Sequence, residues 1–108
     1  KEEDVIIDPL AMAVSADPNA CMVTLETIRL VHQKLGLNIT MGASNISFGL
    51  PNREILNSVH MTLSILNGLT CPIANPEKIA ATVRAADLIL GRDDYAIRFV
   101  EISQSNGN

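Results

Sequence analysis

Three times along the chain, a short apolar run leads into a polar loop and then into a long amphipathic run. The polar loops begin near Asp8, Asn45 and Asn75, about 30 residues apart. Short β-branched runs without polar alternation are typical of strands buried on both faces, as in parallel sheets. Because successive strand–helix units connect parallel strands, the repeat predicts an α/β fold.

The boundaries of the predicted strands and helices follow from residues that start or end such elements. We expect strands at residues 4–7, 38–42 and 69–74. Proline suits the first helical turn and glycine suits the residue after the last. Helices are therefore predicted from Pro18 (with Asp17 as N-cap) to Leu35, from Pro51 to Asn67, and from Pro76 (with Asn75 as N-cap) to Leu90. Residues 93–102 are expected to form a short helix or a wrapped segment, and residues 103–108 a flexible tail.

The helical periodicity predicts which side chains face the core. The first helix would bury Cys21, Leu25, Ile28, Val31 and Leu35, with His32 packed at the edge of that face. The second would bury Ile55, Leu56, Val59, Leu63 and Leu66, with His60 beside them on the more exposed side. The third would bury Ile79, Val83, Ala86 and Leu90.

Two architectures give this order of elements, a doubly wound sheet and a (β/α)8 barrel. Neither Gly-x-Gly-x-x-Gly nor a phosphate-binding Gly-Lys-Ser/Thr loop occurs, so no nucleotide motif supports the open sheet. An eight-fold barrel takes ~250 residues, so 108 residues would supply three units of an incomplete one. The apolar run begins almost at the first residue, and we expect the chain to be an excerpt or to need partner chains.

Composition excludes several classes of function. The net charge is -4, no basic cluster is present, and only Phe48, Tyr95 and Phe99 are aromatic, which argues against nucleic-acid binding. No apolar run is long enough to span a bilayer. Cys21 and Cys71 have no metal-binding spacing, so both are expected to be small buried hydrophobes in a reducing, cytoplasmic protein.

Polar residues follow each predicted strand. Asp8 could accept two hydrogen bonds from a planar ligand edge, or cap a turn before Pro9. Asn45 could hold a ring nitrogen whose protonation changes, or be a turn residue, with Ser44 and Ser47 orienting it or closing the loop. Arg53 opposes the dipole of its helix, which suggests an anionic partner, either a protein carboxylate or a ligand.

Asn75 has an ordinary role as N-cap, and a ligand role is the less favoured alternative. No Ser-His-Asp, Cys-His or metal-binding arrangement is visible, and the two histidines lack partner spacing for a metal. Amides and one carboxylate, without a nucleophile, suit a reaction whose difficult step belongs to a cofactor.

The motif GASNISFGLPNR at residues 42–53 closely resembles the methyltetrahydrofolate:corrinoid methyltransferases, a family of pterin-binding (β/α)8 barrels. Weaker matches are IIDPL at residues 6–10, GL at 68–69 followed by IANP at 73–76, and LGRD at 90–93. The resemblance implies that residues 1–102 are the C-terminal part of such a barrel, with three consecutive βα units. The chain lacks the basic Ser-Arg-Lys segment of dihydropteroate synthase and the longer loop of methionine synthase.

The resemblance also implies a function. The family moves the methyl group of 5-methyltetrahydrofolate to the reduced cobalt of a corrinoid (cobalamin) carried by a partner protein. Asn45 would bind the methyl-bearing ring nitrogen, Asp8 would hold the pterin, and Gly42, Ser44 and Arg53 would complete the substrate site, with Asn75 a possible addition. The full-length enzyme would be a homodimer. The alternative is a non-catalytic fragment that binds pterin or docks the corrinoid protein.

Overall fold

The computed structural model describes residues 4–42 and 44–105. Within these ranges, Lys78 and Ser105 are described by their backbone alone. Expectations for residues 1–3, Ala43 and 106–108 lie outside the described residues. The chain divides into two compact units, with the boundary between Ala74 and Asn75.

The first unit contains a three-stranded parallel sheet and two helices. Its elements are β1 (Ile6–Ile7), α1 (Ala20–Leu35), β2 (Asn38–Gly42), α2 (Arg53–Asn67) and β3 (Cys71–Ile73). The strand order is β1-β2-β3. Ile7 pairs with Ile39, and Gly42 pairs with Ile73, both in parallel register. The predicted α/β class with parallel βα units is confirmed.

An aliphatic core holds the sheet and the two helices together. Ile28 of α1, Ile39 and Met41 of β2 and Met61 of α2 are fully buried. Ile39 and Met41 alternate with half-exposed or exposed residues along β2, so the central strand offers this core one face. The strand β1 is more exposed than expected, since Ile6 is 56% exposed.

The helix ends show how local chemistry set the boundaries. Gly36 adopts φ 62° after α1, and its N–H bonds to the carbonyls of Val31 and His32, as a glycine stop requires. The start was predicted too early, because Asp17 does not cap the helix. Its Oδ1 accepts the N–H of Asn19 at 2.9 Å in a local turn, and the helix begins at Ala20.

The predicted inward face of α2 is wrong. Ile55, Leu56, Val59, Leu63 and Leu66 are all exposed, whereas the buried residues are His60, Met61, Ser64 and Ile65. Periodicity identifies side chains that share a face but does not say which face the sheet covers. The same helix begins at Arg53 rather than at Pro51, after Asn52 in the left-handed conformation.

Several smaller expectations also fail. Cys71 is exposed, because it lies in the short strand β3, while Cys21 is half-buried. In α1, Leu35 is 55% exposed and His32 is exposed, and the buried positions are Ala20, Thr24 and Ile28. The first turn of α1 thus packs through small residues that the apolar periodicity did not select.

The second unit is helical. Helix α3 (Pro76–Ile89) begins with the predicted N-cap Asn75, and it is followed by a 3-10 turn (Asp94–Ala96) and helix α4 (Ile97–Ser105). Residues 103–105, expected in a tail, belong to α4. Buried Asp93 accepts the N–H groups of Arg98 at 3.0 Å and Phe99 at 2.8 Å, which fixes the start of α4.

Candidate functional site

The carboxyl ends of β1 and β2 lie at the same edge of the parallel sheet. Asp8 follows β1 directly, and the loop with Ser44 and Asn45 follows β2. In open and closed parallel sheets alike, ligands bind beyond this edge. The structure therefore brings two of the predicted site segments to one edge of the first unit.

Asn45 is exposed and begins a 3-10 turn, Asn45–Ser47. Its amide lies against the end of β2, since a Cβ added to Gly42 would be 3.3 Å from Asn45 Nδ2. No hydrogen-bond partner of this amide is found in residues 4–42 and 44–105. An amide in this position has a donor and an acceptor to offer, and the absence of a side chain at residue 42 makes room for it.

A hydrogen-bond network holds the loop that carries Asn45. Arg53 donates from Nε to Ser47 Oγ at 3.0 Å and from Nη2 to the Ser44 carbonyl at 3.0 Å. Ser47 is fully buried, and its hydroxyl lies 2.7 Å from Asn57 Oδ1. Because these contacts fasten the turn to the first two turns of α2, Arg53 and Ser47 position the loop.

The loops after β1 and β2 are also joined to each other. Val14 N–H donates to the Ile46 carbonyl at 2.9 Å, and Ser15 Oγ donates to the Phe48 carbonyl at 2.8 Å. Ile46 is buried, while the Phe48 ring is 68% exposed. The edge that carries Asp8 and Asn45 is therefore one connected surface, with an exposed aromatic ring on the same loop as the amide.

Asp8 has the turn role that the sequence left open. Its Oδ1 accepts the N–H of Leu10 at 2.9 Å, and Leu10 adopts φ 62°. The carboxylate is exposed, and this single bond uses only part of its acceptor capacity. A turn role and a ligand role are therefore compatible at this residue.

Asn75 has the N-cap role that was favoured for it. Its side chain accepts the N–H of Glu77 at 3.0 Å at the start of α3. The bond satisfies one of the free donors of the first helical turn. It engages the amide oxygen of Asn75, which leaves the amide donor as the group with most capacity for a ligand.

Two further polar residues lie on the buried side of α2 and do not belong to the carboxyl edge of the sheet. Among the described residues, His60 has no hydrogen-bond partner at either ring nitrogen, and neither has Ser64 at Oγ. Burial lowers the pKa of His60 because the charged ring would be desolvated. The imidazole is thus held neutral, and the one-turn spacing places the two side chains on one helix face.

Two sets of interacting charges lie elsewhere in the described part of the chain, one on α1 and one at the start of α4. Glu26 and Arg29 of α1 bond to each other, which lowers the pKa of the carboxyl through the side-chain hydrogen bond. For Asp93, desolvation raises the pKa, but the N–H groups of Arg98 and Phe99 and the nearby cations outweigh it, so the pKa is lowered. Both pairs are structural and lie away from Asn45 in sequence.

Neither a metal centre nor a membrane span is found in the described part of the chain. Across residues 4–42 and 44–105, three or more His, Cys, Asp or Glu side chains nowhere group as metal ligands. None of the helices described is both long and apolar enough to cross a membrane.

Two residues of this edge were missed by sequence reasoning. Asn57 lies one turn after Arg53, so the helical spacing already placed both on one face of α2. Ser15 lies in the loop after β1, and its bond to Phe48 spans 33 residues. No local pattern signals that contact, because it depends on the pairing of β1 with β2.

Comparison with known proteins identifies the family. The chain is 36% identical over 92 residues to a methylcorrinoid:tetrahydrofolate methyltransferase of Eubacterium limosum, and the match covers 81% of the chain. The chain belongs to the family of that methyltransferase. It spans about a third of the relative's length, since the match covers 33% of that protein. No protein-family model matches the chain.

Membership of this methyltransferase family confirms the relationship that the motif at residues 42–53 indicated. The name of the relative joins a methylcorrinoid and tetrahydrofolate, the same two partners of methyl transfer. It writes the transfer in the opposite direction to the one expected from the sequence.

Proposed function

We propose that this chain forms part of a methyltransferase that moves a methyl group between N5 of tetrahydrofolate and the cobalt of a corrinoid protein. The observation that carries the proposal is the exposed amide of Asn45, which has no partner among the described residues. It lies over Gly42 at the carboxyl edge of the sheet, on a loop fixed by Arg53 and Ser47. Family membership supplies the two substrates.

Asn45 would hold the ring nitrogen that carries the methyl group. Breaking the N5–methyl bond leaves its electron pair on N5, and a proton at N5 makes that nitrogen a better leaving group. The amide oxygen can accept a hydrogen bond from a protonated N5, and the amide N–H can donate to the neutral nitrogen. One side chain thus serves both protonation states, which positioned proton transfer requires.

The remaining residues would bind and orient the pterin. Asp8 keeps acceptor capacity for the paired N–H donors of a pterin edge, besides its bond to Leu10. Arg53 and Ser44 act through the loop, because the guanidinium is engaged with Ser44 and Ser47. The corrinoid, carried by its own protein, supplies the cobalt nucleophile that takes the methyl group.

The direction is part of the proposal. The sequence resemblance supports transfer from 5-methyltetrahydrofolate to cobalt, and the name of the relative supports the reverse. The same groups serve both directions, because an amide that accepts a hydrogen bond from protonated N5 when the methyl group leaves also accepts one from the protonated N5 that forms when N5 is methylated, whose proton is then lost to water. We also propose a (β/α)8 barrel in a reducing, cytoplasmic setting, consistent with two free thiols.

The test uses the complete gene product and substitutes Asn45 with Ala. We expect the single-turnover rate of methyl transfer to fall by at least about 10-fold with the pterin saturating, in whichever direction is measured. Asn38→Ala is the matched control, because Asn38 is an exposed asparagine at the opposite end of the same strand. Equal rates for the wild type and Asn45→Ala would contradict the catalytic role.

A second candidate is a pterin-binding or docking module without catalysis. It is favoured by the small sheet, whose outer strands expose Ile6 and Ile73 at 56% and 63%. Titration calorimetry with methyltetrahydrofolate separates the two. Binding that needs Asn45 and Asp8, without methyl transfer to any corrinoid protein, would support the module and contradict the enzyme.

A further inference from the structure

The turn that carries Asn45 is held on both sides of that residue by side chains of α2. Ser44 precedes Asn45, and its carbonyl accepts a hydrogen bond from Arg53 Nη2 at 3.0 Å. Ser47 follows Asn45 by two residues, and its hydroxyl donates to Asn57 Oδ1 at 2.7 Å. Because Arg53 and Asn57 lie one turn apart on α2, the helix gives the turn two separate points of attachment.

Asn57 sets the direction of the Ser47 hydroxyl. That hydroxyl has a single proton, and two acceptors lie within reach: the Ser44 carbonyl at 3.1 Å and Asn57 Oδ1 at 2.7 Å. The shorter contact has the usual length of an O–H···O bond, so the proton points to Asn57. Arg53 Nε can only donate, and its bond of 3.0 Å uses a lone pair of the same Ser47 oxygen. The hydroxyl thus serves both α2 side chains at once.

The attachment through Asn57 is the stiffer of the two. Ser47 is fully buried and Asn57 is half-buried, whereas Arg53 is exposed. A hydrogen bond shielded from water is electrostatically stronger than one in solvent. The asparagine side chain is also short, while arginine is among the side chains with the most rotamer freedom. Arg53 alone would therefore leave the turn free to pivot about one flexible contact.

We propose that Asn57 is a positioning residue for methyl transfer, which acts through Ser47 on the direction of the Asn45 amide. Its hydrogen bond ends at Ser47, and the effect reaches Asn45 through the backbone of the 3-10 turn. Small displacements of a positioned group are costly in rate, so a turn that pivots is a slower catalyst. The inference rests on the proposed function, which assigns the ring nitrogen to Asn45.

The first experiment measures single-turnover methyl transfer by the complete gene product with the pterin saturating. We expect Asn57→Leu to be slower by at least about 5-fold and Asn57→Asp to stay within about 2-fold of the wild type, because a carboxylate oxygen still accepts from Ser47. Asn67→Leu is the matched control, since Asn67 is a half-buried asparagine of α2 whose amide donates to the Leu63 carbonyl. A wild-type rate for Asn57→Leu, or an Asn57→Asp variant as slow as Asn57→Leu, overturns the proposal.

A second variant keeps the amide and moves it. Asn57→Gln carries the same functional group one methylene further from the helix, so its bond to Ser47 either is lost or shifts the turn. We expect this variant also to be slower than the wild type, although it removes no polar group and should fold. Transfer by Asn57→Gln at the wild-type rate would show that the position of the acceptor is unimportant, and the proposal would be wrong.

Two further measurements separate positioning from a loss of folded protein. Calorimetric titration with methyltetrahydrofolate should give Asn57→Leu the same number of sites per chain as the wild type. In an Asn45→Ala background, Asn57→Leu should slow transfer no further, because the group that it positions is absent. Fewer sites that account for the slower rate, or a full additional loss in that background, overturn the proposal.

The same set of variants distinguishes the two levels of the argument. If Asn45→Ala transfers the methyl group at the wild-type rate, the role proposed for Asn45 fails, and the role of Asn57 fails with it. If Asn45→Ala is slow and Asn57→Leu is not, the inference about Asn57 alone is wrong.

Discussion

Gly42 and Asn45 make one geometric unit at the end of β2. The amide of Asn45 occupies the space where a side chain at residue 42 would begin, with 3.3 Å between its nitrogen and an added Cβ. That distance is tighter than ordinary van der Waals contact, so a methyl group there would force the amide to move. The glycine thus matters for where the amide points, and no unusual backbone angle is involved.

Gly42→Ala should therefore lower methyl transfer through Asn45. We expect a loss of about 10-fold or more, because small displacements of a positioned group are costly in rate. A double-mutant cycle checks the route, since Gly42→Ala should have little further effect in an Asn45→Ala background. A full additional loss in that background would show that Gly42 acts elsewhere.

The sequence predicted which residues of this edge matter better than it predicted their contacts. The motif at 42–53 drew attention to Asn45, Ser44 and Arg53, because polar residues in a strand-to-helix loop are an unusual local pattern. An anionic partner, either a protein carboxylate or a ligand, was expected for Arg53, and its protein partners among the described residues are a hydroxyl and a backbone carbonyl. Local sequence predicts that a guanidinium needs partners but not which neutral oxygens the fold will bring.

At the scale of elements, α1 and α2 meet where Gly68 ends α2. Gly68 adopts φ 125°, and an added Cβ would lie 2.5 Å from His32 Cβ. The exposed His32 thus lies over the helix end, although it was expected to be packed at the edge of the apolar face. The close approach is possible only because residue 68 has no side chain.

Gly68→Ala should destabilise the protein by ~2–4 kcal/mol, through the contact with His32 and the strained φ. Gly36→Ala is the matched control, since Gly36 also has positive φ but no atom within 4 Å of the added Cβ. That variant should lose only ~1 kcal/mol. Urea unfolding followed by circular dichroism measures both, and equal losses would show that the His32 contact is unimportant.

The buried side of α2 predicts a dependence of stability on pH. The pKa of His60 is lowered by burial. As the pH falls, the unfolded chain therefore takes up a proton at a higher pH than the folded chain does. The stability contributed by neutral His60 is fully present above about pH 6.5. The free energy of unfolding should fall as the pH drops from there to the pKa of His60 in the folded state.

His60→Leu should reduce this loss of stability below about pH 6.5. It should also leave stability near pH 8 unchanged or higher, because it removes two ring nitrogens that have no partner among the described residues. His32→Leu is the control and should keep the dependence, since His60 remains. Parallel pH profiles for the wild type and His60→Leu would contradict the prediction.

Element order could be predicted from the sequence, whereas the orientation of α2 could not. Turn residues such as Gly36 and Asn75 mark boundaries by local chemistry, and both were predicted correctly. The five apolar residues of α2 were placed inward because a lone helix buries its apolar face. In the structure the buried side carries His60, Met61, Ser64 and Ile65 instead, and the five predicted residues are exposed.

For the whole molecule, the sheet of the first unit has outer strands paired on one side only within the described residues. β1 pairs with β2, and β3 pairs with β2. Val5 and Ile6 near one edge and Ile73 near the other are 42%, 56% and 63% exposed. Apolar parallel edges of this kind are templates for further strands.

The 108-residue chain produced alone should therefore associate or remain loosely packed. We expect light scattering to show species larger than a monomer, or calorimetry to show no cooperative transition. Ile6→Lys combined with Ile73→Lys should reduce association, because charges on edge strands discourage pairing. A monodisperse monomer of the unsubstituted chain with a sharp thermal transition would contradict the prediction that these edges associate.

The exposed ring of Phe48 also makes the candidate site observable. The chain has no tryptophan and one tyrosine, Tyr95, which is 96% exposed. Light at the long-wavelength edge of tryptophan absorption excites almost no fluorescence from this chain. Phe48→Trp would therefore add a single fluorophore, on the loop that carries Asn45. The loop is held through its backbone, by Ser15 at the Phe48 carbonyl, so the indole would replace the ring without removing that anchor. Quenching of its emission would report occupancy of the edge directly, in a stopped-flow record that needs neither a methyl acceptor nor turnover.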